Sequence, residues 1–335
     1  MISIKINFLT LCVLWFWIMQ AGASFADEPF DKSIYAYEPD FTGPIISAAA
    51  TTVPNGHNLF DTSIMYINND GFYSDTGKLV LTPNQQNLTI DPIFARGISD
   101  TMDVQITLPY TIIYNANFTY DHLSDISVIL GYQMLKQGQS WLMPNLRFTV
   151  QEIIPSGKYD NLNPVGSGAD GNGLGSYQTG LSLNFQRLIP LTAILTEDNY
   201  LSAHLNLAYF YAANVQLHGR SVYGGNTDTR GTFMPGQQFS ADIAFELSLM
   251  RHLSLVLEGF LWNRSTSTFL GTLGHDSLGN NADIQLAPKK QVTYAPAIEY
   301  SYNKNFGIIA GYWFSTKGKN SSDFNSYVIA LNFYF

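Results

Sequence analysis

Apolar and polar residues alternate with a period of two along most of this chain. Met102, Val104, Ile106, Leu108, Tyr110 and Ile112 form one apolar row, with Asp103, Gln105, Thr107 and Thr111 between them. The pattern returns over 126–134, 142–150, 177–185, 201–211, 239–249, 253–261, 292–300, 306–314 and 327–335. Two weaker rows lie near 58–68 and 87–97. Successive side chains of a strand point to opposite faces, so each row predicts a strand with one apolar face.

A soluble sandwich would alternate in the same way, so the connections decide the fold class. Long polar segments near 69–86, 115–124, 155–175, 213–237, 264–291 and 315–325 take turns with tight ones. The tight ones are Arg96 to Thr101, Lys136 to Gln139, Met250 to His252 and Asn303 to Asn305; Arg187 to Asn199 is somewhat longer. Long loops at one end and short turns at the other are expected of an outer-membrane β-barrel. The prediction is an all-β fold, a transmembrane antiparallel up-and-down barrel of about twelve strands, with both termini on the periplasmic side.

Composition agrees. Charged residues make up 13% of the chain, against about 25% in soluble domains. No stretch of the mature chain approaches the roughly 18 consecutive apolar residues of a membrane helix. Tyr110, Tyr114, Tyr211, Tyr300, Tyr302 and Trp313 sit near strand ends, where aromatic girdles are expected. A net charge of −9 argues against nucleic acid as a partner. Lys5, the apolar run Ile6 to Met19 and the small residues Ala21, Ala23, Ser24 and Ala26 read as a signal peptide over 1–26, with a mature start at Asp27. The single cysteine, Cys12, lies within it, so the mature protein has no thiol. Residues 27–56 read as an extended periplasmic segment and 57–335 as the barrel. The last strand, Tyr327–Phe335, ends on an aromatic residue and resembles the terminal signal recognised by the outer-membrane assembly machinery.

If the apolar rows face lipid, their partners face the lumen. That places Asp103, Gln105, Arg147, Gln178, His204, Asp242, Glu246, Glu258 and Glu299 inside. Asp242, Glu246, Glu258 and Glu299 would form an acidic strip, with Arg147 on another wall. Two readings stand side by side. One is a polar constriction favouring cations; the other is a hydrogen-bonded network filling a narrow barrel. His204 alternates with Ser202 and Asn206 but lacks phospholipase surroundings. His57, His122, His218, His252 and His275 show no metal-binding spacing. The sequence thus offers no catalytic residue, cofactor or metal site. The glycine-rich run Gly166 to Gly175 reads as a flexible external loop.

Several motifs recur in an order seen elsewhere. Thr52-Val-Pro-Asn-Gly56 precedes the first strand, and Ala95-Arg-Gly-Ile-Ser-Asp-Thr-Met-Asp-Val-Gln-Ile-Thr-Leu-Pro-Tyr110 crosses a turn. Asp125-Ile-Ser-Val-Ile-Leu-Gly-Tyr132, Pro155-Ser-Gly-Lys-Tyr159 and the glycine-rich run to Leu183 follow. Together they resemble the outer-membrane transporter family of the phenol meta-cleavage degradation pathway. The resemblance implies a β-barrel that takes up small aromatic compounds, and it carries no catalytic residues.

The expected function is passive uptake of small hydrophobic or aromatic molecules through a porin-like channel in the bacterial outer membrane. Its partners would be outer-membrane lipid and a small-molecule solute. A competing reading is a closed barrel whose external loops contact a host, phage or other partner. Arg220, Tyr223, Arg230 and Phe233 of the 213–237 segment would then carry the contact.

Overall fold

The computed structural model describes residues 41–115, 118–137, 143–164, 170–191, 199–275 and 278–335. Residues 1–26, expected as a signal peptide, residues 27–40, Leu142, part of the glycine-rich run and most of the Arg187 to Asn199 connection lie outside the described residues. In chain order the strands are β1 (Asn58–Tyr73), β2 (Leu79–Gly97), β3 (Met102–Thr107), β4 (Tyr110–Asn115), β5 (Phe118–Leu123) and β6 (Ile126–Leu135). Then come β7 (Asn145–Ile154), β8 (Gln178–Pro190), β9 (Tyr200–Ala212), β10 (Val215–His218), β11 (Arg230–Met234) and β12 (Gln238–Met250). The chain finishes with β13 (Leu253–Arg264), β14 (Thr268–Thr272), β15 (Lys289–Asn303), β16 (Phe306–Lys319) and β17 (Ser321–Tyr334).

The main sheet closes on itself. β1 pairs with β2 on one side and with β17 on the other, which completes a twelve-strand antiparallel barrel. Two of its staves are interrupted. β3 pairs with the lower half of β2 and β4 with the upper half, and Leu108-Pro109 separates them. Pro109 has no N–H to give to a ladder. The returning stave breaks beside it at Ser124 and Asp125, between β5 and β6.

The predicted rows are outward rows. Ile329, Ile298, Leu181 and Tyr209 are each about half exposed in the isolated chain, as a lipid-facing wall requires. Tyr110, Tyr114, Tyr211, Tyr300 and Tyr302 are exposed on that wall. Trp313 is not, because it falls between Tyr312 and Phe314 of the outward row and therefore points inward.

Several expected loops are ordered sheet. Residues 69–86 and 315–325 are mostly strand, joined by tight turns at 74–78 and at Asn320, whose φ is 49°. Residues 118–123 of the expected 115–124 loop form β5. The long segments 213–237 and 264–291 contain β10, β11 and β14, which form a separate three-stranded sheet. Val215, Leu217, Tyr223, Phe233 and Ile284 are buried together beneath it, with Tyr159 and Phe269 packed at their edge. Tyr223 stacks on Phe233 with ring centroids 4.0 Å apart, and its hydroxyl donates to the Leu174 carbonyl. Residues 155–164 are tied in through Asn161 N to His218 O, 3.0 Å, and Val222 N to Tyr159 O, 2.9 Å. The loop end therefore carries a folded cap with its own apolar core. Burial alone would raise the Asp170 carboxyl in this cap, but hydrogen bonds from Lys158 and Asn163 outweigh it, and Asp170 ionises below its ordinary range.

Phe233→Ala should melt the cap without opening the barrel, since removing a buried phenylalanine costs about 3–5 kcal/mol. Limited proteolysis should then cleave within 213–237 or 264–288 while heat-dependent gel mobility stays unchanged. A variant as resistant as the parent would show that the cap does not fold around Phe233.

Candidate functional site

The ladder register carries Asp103, Arg147, His204, Asp242, Glu246, Glu258 and Glu299 to the inward face, where all are buried. Gln178 also points inward and is buried. Asp103 and Arg147 stand apart on another wall, whereas Asp242, Glu246, Glu258 and Glu299 lie on the neighbouring strands β12, β13 and β15. On β3 and β7, Arg147 Nη2 donates to Asp103 Oδ1 at 2.6 Å. The pair spans the intervening β6 above Gly131, where a Cβ would overlap both the guanidinium and the carboxylate. On β9 and β12, His204 Nε2 lies 2.7 Å from Glu246 Oε2 and 2.8 Å from Ser202 Oγ. Both partners meet the same ring nitrogen, whereas a serine–histidine–acid relay uses opposite nitrogens. Asp242 sits beside Glu258 and Ser47.

Residues 41–56 thread through the lumen between these groups as an extended strap. The Thr42 N–H donates to Glu299. Ile46 N and Ser47 N both donate to Glu258, at 3.0 and 2.5 Å. Further along, the Ala49 carbonyl accepts from Arg147 at 3.3 Å and the Ala50 carbonyl from Gln133 at 3.0 Å. Thr52 N then donates to Gln133 at 2.8 Å, and Val53 N to Asp103 at 2.9 Å. An isolated parallel bridge from Asn55 to Gly97 leads into β1. Ile45 packs inward against Val256, Ala297, Ile309 and Ala330.

The arrangement answers an electrostatic problem. A buried carboxyl group is costly unless its oxygens are hydrogen-bonded, and backbone N–H groups are donors that can satisfy them. The strap supplies such donors to Glu258, Glu299 and Asp103. At this level these side chains hold a segment of the chain itself.

Above the strap the inward face changes character. Phe210, Phe260, Trp262, Trp313 and Phe324 point inward from β9, β13, β16 and β17, and each is only half-buried. The Trp262 indole donates to Gln291 at 3.0 Å and that of Trp313 to Thr293 at 2.8 Å. Trp313 meets Phe324 edge-on, with centroids 5.0 Å apart. Each indole thus has its polar atom satisfied.

Of the residues expected in an exposed loop, Tyr223 and Phe233 are buried in the cap core, at 7% and 1% exposure. Arg220 is half-buried and Arg230 exposed.

No family model matches the chain, and no curated protein matches it. Among solved structures, the COG4313 outer membrane channel from Pseudomonas putida F1 superposes with a TM-score of 0.64 at 11% identity, covering 88% of this chain and 100% of that one. The NanC porin gives 0.43 at 10% identity, covering 82% and 98%. The CymD monoaromatic hydrocarbon channel gives 0.35 at 7%, covering 84% and 88%. Of these three, the first superposes closely enough to show a shared fold. The fold is that of an outer-membrane barrel.

Sequence reading missed the strap's partner Gln133, the inward aromatics and two further inward carboxylates, Asp61 and Asp91. The aromatics were available from the alternation itself, since Phe260 and Trp262 are the partners of the row 253–261. Asp61 was masked because its own face also carries Met65 and Ile67, which blur the two faces of β1.

Asp103→Asn leaves Arg147 buried without a counter-charge, and breaking one partner of a buried pair costs about 3–5 kcal/mol. The expected outcome is a lower unfolding midpoint and faster thiol labelling of a Thr52→Cys reporter in the strap, with Gly131→Ala giving a milder form of both. Labelling as slow as in the parent would mean that the pair does not anchor the strap.

Proposed function

We propose that this chain is an outer-membrane channel for passive uptake of small hydrophobic or aromatic molecules, with the strap 41–56 as its gate. The observation that carries this reading is the inward aromatic set Phe210, Phe260, Trp262, Trp313 and Phe324 standing directly above a lumen crossed by the strap. A guest that passes the cap meets aromatic faces first, and these favour flat apolar solutes through stacking and edge-to-face contacts. Binding sites for small apolar molecules have this composition, mostly aromatic walls with few, already satisfied polar groups.

Passage to the periplasm then requires the strap to move. Its anchors are hydrogen bonds from backbone to side chain, each worth about 0.5–1.5 kcal/mol net, or about 1.5–3 where charged. Such a segment is held firmly at rest and can be displaced without unfolding a strand. The acidic side chains act here chiefly as strap anchors, and selectivity for the solute lies in the aromatic chamber. The resemblance to the outer-membrane transporter family of phenol meta-cleavage supports the solute class, and the fold shared with an outer-membrane channel supports the transport role.

Planar-bilayer recordings test the reading. The full chain should show rare, brief openings, and a variant lacking residues 41–53 should conduct steadily. A small aromatic such as phenol should block the steady current, and Trp262→Ala with Trp313→Ala should weaken that block about tenfold. Equal conductance with and without the strap would remove the gate. A block that ignores both tryptophans would move the solute site elsewhere.

A further inference from the structure

The inward face turns basic at the loop end of β13 and β15. Arg264 follows Trp262 by two residues and Lys289 precedes Gln291 by two, and the two cations are direct cross-strand partners. Both therefore point inward, about 7 Å along the strands from the Trp262–Gln291 hydrogen bond. Each is half-buried. Arg264 Nη2 donates to Gln238 Oε1 at 2.9 Å, and Lys289 Nζ donates to Gln285 Oε1 at 2.7 Å. Gln285 belongs to the cap, its N–H donating to the Tyr223 carbonyl at 2.9 Å. The two cations thus stand between the cap and the aromatic set.

Both hydrogen-bond partners are neutral amides. Among the described residues no carboxylate forms an ion pair with Arg264 or Lys289. Asp323, at the loop end of β17, is held by the hydroxyls of Tyr73 and Ser315. Asp283 is exposed on the cap. Like charges placed directly opposite each other on a sheet are destabilising, and Lys289 lies close enough to feel the charge of Arg264. Sheet pairing alone would favour one residue of each sign at this place. A counter-charge from outside the chain relieves the repulsion.

We propose that Arg264 and Lys289 bind the carboxylate of a small aromatic acid whose ring lies against the aromatic set beside Trp262. The proposal rests on the reading of that set as the solute site, and it narrows the solute from aromatic molecules in general to aromatic anions. A guanidinium presents parallel N–H donors that match the two oxygens of a carboxylate, and the ammonium adds a second charge. One pleat of the same strand separates Arg264 from Trp262, a spacing that a benzene ring bearing a carboxylate can bridge. A small inorganic anion would leave the rings unused. A neutral aromatic would leave both cations without a counter-charge.

The test is calorimetric titration of the refolded full chain in detergent at neutral pH, with folding checked by heat-dependent gel mobility. The probes are benzoate, its neutral counterpart benzamide, and acetate. Benzoate should bind at least tenfold more tightly than either of the others. In Arg264→Gln with Lys289→Gln the ratio of benzoate to benzamide affinity should fall to about one. Lys289→Gln alone keeps Arg264 on Gln238 and should give an intermediate ratio. Lys290→Gln, at an exposed position paired with Asn263, should keep the parent ratio. Equal affinity for benzoate and benzamide in the parent would overturn the anion site and leave the aromatic chamber standing. A preference for benzoate that survives in the folded double variant would also overturn it. Acetate binding as tightly as benzoate would reject an aromatic acid as the ligand. Binding of none of the three would reject this site and the aromatic chamber together.

Discussion

Hydrocarbon offers the backbone no hydrogen-bond partner, so a sheet that crosses a membrane must leave no open edge. β1 is where this chain meets the constraint, pairing along most of its length with both β2 and β17. The seam is finished at the chain end, where Asn58 N donates to Phe335 O and Phe335 N donates back to Asn58 O. Once the ring is closed, the pleat sends every second side chain outward to lipid and the others inward. Polar residues then fill a confined lumen in which each must find a partner.

Closure creates that second problem, and the structure answers it at three levels. About eight strands fill a barrel with side chains, and 16 to 18 leave a water channel; twelve strands leave room for something narrower. Near the turns the room is taken by the strap, whose backbone N–H groups serve Glu258, Glu299 and Asp103. Above it come aromatic side chains with their indole N–H groups already bonded. At the loop end the cap brings its own apolar core, so Tyr223 and Phe233 stabilise a fold and do not face a partner.

The alternation made the barrel legible almost strand by strand, because lipid enforces apolar residues on one face of every stave. The same signal placed Asp103, Arg147, His204, Asp242, Glu246, Glu258 and Glu299 on the inner face. It could not say what those side chains bind. The strap meets them mainly through its main chain, and main-chain donors are alike in every sequence, so residues 41–56 show no period and no motif for the contact. The cap escaped for a related reason. β10, β11 and β14 are short strands set among glycine, serine and asparagine, and their partners are distant in sequence, as with Arg230 and Thr272. Loop composition conceals short strands of this kind when only local pattern is read.

The strap and the lipid face meet across one stretch of wall. Val256 and Ala297 pack inward on Ile45, and the same stretch of β13 and β15 carries Leu257 and Pro296 on its outer face. Small residues make the close approach possible. Gly311 of β16 leaves inward space that a Cβ would deny to Ile45, and its neighbour Ala310 leaves outward space beside Tyr312. Pro296, which has no N–H, stands exposed on the outer face of the same stretch. The fit of the strap therefore follows from one local choice of side-chain size, made where β13, β15 and β16 cross it.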